Sequence, residues 1–190
     1  AMLNVALEIE DHPDNLSAAL WGSATASGVD DEGKCMIRPF TISSSIRAVV
    51  VIPRFQLSTQ KAREVLPNSY SRKDCIFNLQ RVALLPLALS ESPPDTKLLR
   101  ELFRDKLHQI QRGPLMPGLA ECLAYQGEGL DNRHLVALAL SGAGPCIIAL
   151  CTGDMQNIAD AIKRNLSKHG IQSDSKILPF STTGTTAKWS

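Results

Sequence analysis

The chain has 190 residues, 44% of them hydrophobic and 21% charged, with a formal net charge of +1. That length fits one domain, or one domain with part of another, and allows a real core. A near-neutral balance offers no electrostatic case for nucleic acid or an anionic membrane as partner. The longest apolar runs, VALAL and CIIALC, are far too short to span a bilayer. No basic, then apolar, then small-residue leader opens the sequence. The five cysteines (Cys35, Cys75, Cys122, Cys146 and Cys151) form no C-x-x-C pair. Free thiols in a reducing cytoplasm are the expected state, and no structural zinc is expected.

In chain order, Met2, Val5, Ala6 and Ile9 share one face at helical spacing, with no capping residue before them. A helix that opens without an N-terminal signal suggests a sequence cut from something longer. Pro13 then limits that helix, and Asp14 or Asn15 can cap a second one over NLSAALWGS. Residues 23–45, rich in Ser, Gly, Asp and Thr, read as loop or irregular strand and as the domain boundary. IRAVVVIP at 46–53 is a β-branched run closed by proline, which predicts a buried strand.

Ser58 or Thr59 starts a short helix through Leu66. RKDCIFNLQRVALLPLAL is a long helical stretch that Pro86 should bend or break. Asp95 caps a helix with apolar positions at Leu98, Leu99, Leu102, Phe103 and Leu107, and another helix follows PLMPG. HLVALAL and CIIALC read as strands joined by SGAGP. Asp154 caps a helix with Met155, Ile158, Ile162 and Leu166 on one face and Gly170 at its end. SKILPF is the last strand. The order is β-α-β-β-α-β with extra helices in the first crossover. It predicts an α+β, ferredoxin-like sandwich: a sheet with helices on one face.

Three motifs could carry chemistry. LSGAGP at 140–145 lets the backbone approach a ligand, or is simply a turn between strands. It is neither a P-loop nor a dinucleotide fingerprint, since the Lys-Ser/Thr and the third glycine are missing. HPDN at 12–15 sets an imidazole, a carboxylate and an amide together, which suits a polar ligand or a plain helix cap. Arg63 and Arg112 stand near helix ends. Their fork matches a carboxylate, although a lone arginine is ordinarily a solvated surface residue. His108 and His134 have no ligand-like spacing. These patterns alone reach an α+β protein able to bind a small polar ligand.

Taken as an ordered series, HPDN, STQKAREVLP, DCIFNLQR, LHQIQRGPLMPG, LSGAGP and the TTG at 182–184 resemble homoserine kinase of the GHMP superfamily, closest to its fungal type. The resemblance runs over nearly the whole chain. It implies a remnant of the N-terminal kinase domain at 1–45 and a ferredoxin-like C-terminal kinase domain at 46–190. The family's phosphate loop, P-x-x-x-G-L-G-S-S-A, is not in this sequence, so the chain as it stands is expected to be inactive. The implied reaction is ATP-dependent phosphorylation of L-homoserine, with magnesium, in the cytoplasm, on the route to threonine.

By the same resemblance His12, Asp14 and Asn15 line the homoserine pocket, and Arg63 and Arg112 hold the substrate carboxylate. Ser141, Gly142, Ala143 and Gly144 shape the transfer site. The family carries serine where Ala143 stands and an aromatic ring where Gln111 stands. Asn4 occupies the position of the magnesium carboxylate, and Glu8 and Glu10 are out of register. No metal ligand and no catalytic base are therefore assigned. A homodimer is compatible with the family. The alternatives are a non-enzymatic amino-acid-binding regulatory module and another GHMP small-molecule kinase.

Overall fold

The computed structural model describes residues 2–10, 12–125 and 134–187. In chain order come α1 (Met2–Leu7), α2 (Pro13–Trp21), β1 (Ala24–Val29), β2 (Cys35–Phe40) and β3 (Arg47–Pro53). Then follow α3 (Thr59–Glu64), α4 (Arg72–Ser90), α5 (Thr96–Leu102) and α6 (Gln109–Arg112), which runs into a 3-10 turn at Gly113–Leu115. The last elements are α7 (Leu119–Ala124), β4 (Leu135–Leu140), β5 (Ile147–Cys151), α8 (Met155–Lys168) and β6 (Ser173–Leu178).

The sheet that carries the core has the order β4-β5-β3-β6, and every neighbouring pair is antiparallel. Numbered along the chain, its strands lie second, third, first, fourth, which is the ferredoxin-like arrangement. One expectation is corrected: helices cover both faces of this sheet, not one. Val49 and Val51 of β3, with Ile147, Ala149 and Cys151 of β5, pack against α8 and α7 through Ile158, Ile162, Leu166 and Leu119. The alternate residues Ala48 and Leu150, with Val136 and Ala137, pack against Ala88 and Leu89 of α4 and Leu99 and Leu102 of α5. Unbroken apolar runs such as VALAL leave no polar face for water, so both sides need cover. Register shifts between Leu135 and Ala137, so that Val136 is the extra residue. This bulge keeps Leu135 and Cys151 on one face and Ala137 and Leu150 on the other.

The segment read as loop at 23–45 holds a hairpin instead, β1 against β2, with Asp30 and Gly33 in its turn. Its Ser, Gly and Ala content gives little strand propensity. Tertiary contact supplies the order. Ser17 of α2 is fully buried and its hydroxyl meets Thr25 (2.7 Å) and Ser27 (3.2 Å).

Local signals fare unevenly. Ser58 and Asp95 cap α3 and α5 as expected. At α2 the cap position is His12, with Pro13 as the first helical residue, not Asp14 or Asn15. Asp154 stands at the start of α8 in a left-handed conformation, and its carboxylate accepts from the Asn157 side chain rather than a backbone N–H. In α1 the buried residue is Leu3, while Val5 and Ile9, on the expected apolar face, are exposed. The side chains of Met2 and Asn4 lie outside the described residues. Leu107 lies beyond the end of α5, and the last strand spans Ser173–Leu178 rather than running through Phe180. Pro86 sits inside α4 without ending it. Its missing N–H leaves the Val82 carbonyl without a helical donor, and Val82 is exposed, so water can serve.

Candidate functional site

Arg112 ends the four-residue helix α6 and ties three elements together. Its Nε donates to the Ala62 carbonyl of α3 (3.1 Å), and its Nη1 donates to the Gly142 carbonyl of the β4–β5 loop (3.0 Å). Three of the five guanidinium N–H groups remain for another acceptor. Arg63, the residue after Ala62, turns its Nη2 to within 3.3 Å of His12 Nδ1. His12, Arg63, Arg112 and Gly142 therefore form one chain of contacts across residues far apart in sequence. Asp14 and Asn15 are exposed on the first turn of α2, immediately after His12.

Glu10 accepts both the backbone N–H (3.2 Å) and the ring Nδ1 (2.5 Å) of His12. The hydrogen bond to the His12 side chain holds its carboxyl below the ordinary carboxylate value. A carboxylate only accepts, so Nδ1 carries the proton and Nε2 is left for a ligand. The protonated Nδ1 cannot also accept from Arg63, so that 3.3 Å contact is packing between neighbours. Arg54, Arg81 and Arg104 pair with Asp174, Glu101 and Glu101, respectively. Among the described residues neither Arg63 nor Arg112 has a carboxylate at ion-pair distance. Arg63 thus lies against the His12 imidazole, near the Glu10 carboxylate, and Arg112 bonds the backbone carbonyl of Ala62, the residue before Arg63.

The glycine-rich loop is a tight turn. The Ser141 N–H donates to the Cys146 carbonyl (2.8 Å) and the Gly144 N–H to the Ser141 carbonyl (3.1 Å). The Gly142 and Ala143 N–H groups have no partner among the described residues. Gly144 has φ +88°, a conformation that favours glycine, and a Cβ there would lie 3.0 Å from Leu140 Cδ1, so that side chain would also have to shift. Around Gly142, at φ +59°, nothing lies within 4 Å of such a Cβ, which leaves that side open to a ligand.

Other motif residues hold this arrangement without joining it. The Leu140 N–H donates to Gln109 Oε1 (2.7 Å), which pins α6 to the strand end just before the loop. Asp105 accepts from the N–H groups of Leu107 (3.0 Å), His108 (2.8 Å) and Gln109 (2.5 Å), and from Asn78 Nδ2 (2.5 Å). Burial alone would raise the Asp105 pKa, but these donors together hold it below the usual value. Asn78 Oδ1 also accepts from the Lys106 N–H (3.0 Å). At the other end, the C-terminal tail crosses α2 so closely that a Cβ on Gly184 would lie 2.0 Å from the Leu20 carbonyl. Thr185 donates its N–H and hydroxyl to the Ala19 carbonyl (3.0 and 2.9 Å). The TTG motif thus clamps the helix that begins at His12.

Glu10, weighed above only as a metal ligand, instead orients His12, and Asn78, Asp105 and Gln109 join the supporting network. Asn78 and Gln109 stood inside the quoted motifs DCIFNLQR and LHQIQR, and only the fold shows what they bond. A cavity of about 430 Å³ opens between Phe77, Phe103, Gln109 and Tyr125, and none of the expected site residues lines it.

Comparison with known proteins places these features. Residues 85–170 match the family described as GHMP kinases C terminal. Over these residues the chain carries a GHMP kinase C-terminal domain, and its α+β fold matches that of a solved homoserine kinase. The chain is a homologue of homoserine kinases. It is 36% identical to homoserine kinase of Schizosaccharomyces pombe over 99% of this chain and 63% of that protein. It is 41% identical to homoserine kinase of Aquifex aeolicus over 87% of this chain and 54% of that protein. The crystal structure of homoserine kinase from Cytophaga hutchinsonii shares the fold, with a TM-score of 0.80 at 23% identity, over 91% of this chain and 53% of that one. The chain thus spans about half to three-fifths of the proteins it matches. Fungal and bacterial relatives match at comparable identity, so these values do not separate a fungal type.

Proposed function

We propose that the protein is a homoserine kinase, transferring the terminal phosphoryl group of ATP to the hydroxyl of L-homoserine in threonine biosynthesis in the cytoplasm. The observation that carries this reading is that Arg63 lies against His12 while Arg112 bonds the adjoining Ala62 carbonyl and the Gly142 carbonyl, with neither guanidinium at ion-pair distance from a carboxylate among the described residues. A bidentate arginine pair suits the planar carboxylate of an amino acid. His12 Nε2 and the exposed Asp14 and Asn15 then offer groups for the rest of a zwitterionic substrate. The Gly142 and Ala143 N–H groups, without a partner among the described residues, are then available to a phosphoryl oxygen of the donor. Positioning and charge stabilisation are what phosphoryl transfer asks of a protein, and no base is assigned here.

ATP supplies the phosphoryl group, but the described residues fit it only in part. A triphosphate needs a cradle of N–H groups at a helix N-terminus, and the glycine turn joins two strands. Among the described residues no three His, Cys, Asp or Glu side chains lie together to hold magnesium. No helix among them is long and apolar enough to cross a membrane. In this reading residues 1–45 belong with the N-terminal kinase domain and 46–190 form the C-terminal one. The 190-residue chain, which contains no P-x-x-x-G-L-G-S-S-A loop, is then inactive by itself, and a homodimer is compatible with the family.

The test is ADP release by a form of the protein that carries the phosphate loop, offered L-homoserine, mevalonate and galactose in turn. Release that depends on L-homoserine supports the reading, and preference for another acceptor replaces it with a different GHMP kinase. The missing loop favours a second reading, a regulatory amino-acid-binding module. Calorimetry with the 190-residue chain separates the two, since tight L-homoserine binding without ATP belongs to the module.

A further inference from the structure

Strand β4 stands at the edge of its sheet, so the backbone groups on its outer side have no neighbouring strand. Successive residues of a strand turn their backbone groups to opposite sides. The Ser141 N–H points inward, to the Cys146 carbonyl (2.8 Å), so the Leu140 N–H points outward. Likewise the His134 carbonyl accepts from the Thr152 N–H (2.9 Å), and the Leu135 carbonyl points outward. Side chains of the α5–α6 segment take both outward groups. Arg100 Nε donates to the Leu135 carbonyl (2.8 Å), and Gln109 Oε1 accepts from the Leu140 N–H (2.7 Å). Gln109 Nε2 in turn donates to the Phe103 carbonyl (3.5 Å), which sets the amide with its oxygen toward the strand.

Gln109 and Arg112 lie about one helical turn apart on α6 and share a face. Gln109 holds the Leu140 N–H, and Arg112 holds the Gly142 carbonyl (3.0 Å). The turn that these two anchors hold carries the Gly142 and Ala143 N–H groups, which have no partner among the described residues. We propose that Gln109 is a positioning residue for phosphoryl transfer. It fixes the root of the glycine turn, and through it the aim of those two N–H groups, without touching substrate. This rests on the kinase reading above. The two side chains of α6 then have separate duties: Arg112 holds the substrate carboxylate, and Gln109 holds the groups that meet a phosphoryl oxygen. Without the Gln109 oxygen the N–H of Leu140, a residue only 9% exposed, loses its partner, and the turn shifts to find another. Arg112 keeps its other anchor on the Ala62 carbonyl (3.1 Å), so the carboxylate end of the site stays in place. Such a displacement weakens transition-state stabilisation more than substrate binding.

Gln109→Met keeps length and bulk but removes the acceptor, whereas Gln109→Glu keeps an oxygen for Leu140. If Gln109→Met does not fold, Gln109→Asn, which withdraws the oxygen by one methylene, takes its place. Steady-state kinetics use the form that carries the phosphate loop and whichever acceptor the parent phosphorylates. Gln109→Met should lower kcat roughly tenfold or more, with KM for the acceptor within about twofold of the parent, and Gln109→Glu should recover most of kcat. A merely structural role would lower the melting temperature without splitting kcat from KM. Amide exchange in the 190-residue chain gives a second readout that needs no activity. The Leu140 amide should exchange about tenfold faster in Gln109→Met than in the parent and slow again in Gln109→Glu, with the β5 amides unchanged. Unchanged kcat in a folded Gln109→Met protein overturns the proposal, and so does a Leu140 amide that exchanges at one rate in all three. A parent that phosphorylates another acceptor in place of L-homoserine corrects the substrate and leaves the role of Gln109 standing. A parent that phosphorylates none removes the kinase reading and this role with it.

Discussion

Arg63 and Arg112 stand in the same site but differ in what else they do, and their alanine variants should separate. Arg63 is exposed and its one hydrogen-bond-range contact among the described residues is with His12, so Arg63→Ala should leave the melting temperature nearly unchanged. Losing a charge-assisted bond to the substrate carboxylate removes about 1.5–3 kcal/mol, or roughly tenfold to a hundredfold in L-homoserine affinity. Arg112 also bridges Ala62 and Gly142. Arg112→Ala should therefore cost a similar factor in affinity and, in addition, a few degrees of melting temperature, at about 1 kcal/mol for each lost internal bond. Equal thermal effects of the two would contradict the geometry. Glu10→Ala removes the acceptor that fixes the His12 tautomer. Nitrogen NMR of His12 should then show loss of the Nδ1-protonated form, while His12→Leu should damage catalysis with the fold intact. At this scale the sequence named His12, Asp14, Asn15, Arg63 and Arg112 through motif resemblance. It could not show Glu10, because a carboxylate two residues before a histidine reads the same whether or not it bonds the ring.

Helix α6 has four residues, too few to be stable alone, so its place depends on what holds it. Asp105 does so at one end and Gln109 at the other. The Asp105 pKa is depressed in the folded state, so its contribution is fully present above the ordinary value near 3.9. That contribution is lost as pH falls through the lower folded value. Asp105→Asn should flatten the acid limb of a plot of melting temperature against pH below about pH 4, where the parent chain loses stability. An unchanged acid limb would show that the carboxylate does not carry that loop. Gly184→Ala should free the C-terminal tail from α2, because the Leu20 carbonyl occupies the place of the new methyl. Increased amide exchange at the N-terminus of α2 would report it.

Legibility at the level of elements follows from where order originates. Helix α8, with its apolar positions at 155, 158, 162 and 166, and strand β3, with its β-branched run, carry their structure in local pattern. The β1–β2 hairpin does not, since Ser17 orders it from another element. Pro86 does not break α4, because packing of Leu85, Ala88 and Leu89 outweighs one absent hydrogen bond.

At the scale of the molecule, the motifs divide into those that touch a ligand and those that hold them still. DCIFNLQR acts through Asn78 and Asp105 on α6, LHQIQR through Gln109 on the glycine turn, and TTG on α2. The ferredoxin-like topology was readable because strand order follows from the β-α-β-β-α-β sequence of elements. Cover on both faces of the sheet was readable in principle from VALAL and CIIALC, whose runs leave no polar side. The convergence of His12, Arg63, Arg112 and Gly142 was not readable from pattern, because 130 positions separate the first from the last and only the closed fold joins them. The most direct test of the central claim is steady-state phosphorylation of L-homoserine by the form carrying the phosphate loop, comparing the parent with Arg63→Ala. The account predicts a KM for L-homoserine raised about tenfold or more, with the KM for ATP unchanged. A larger change in the KM for ATP than in that for L-homoserine would contradict it.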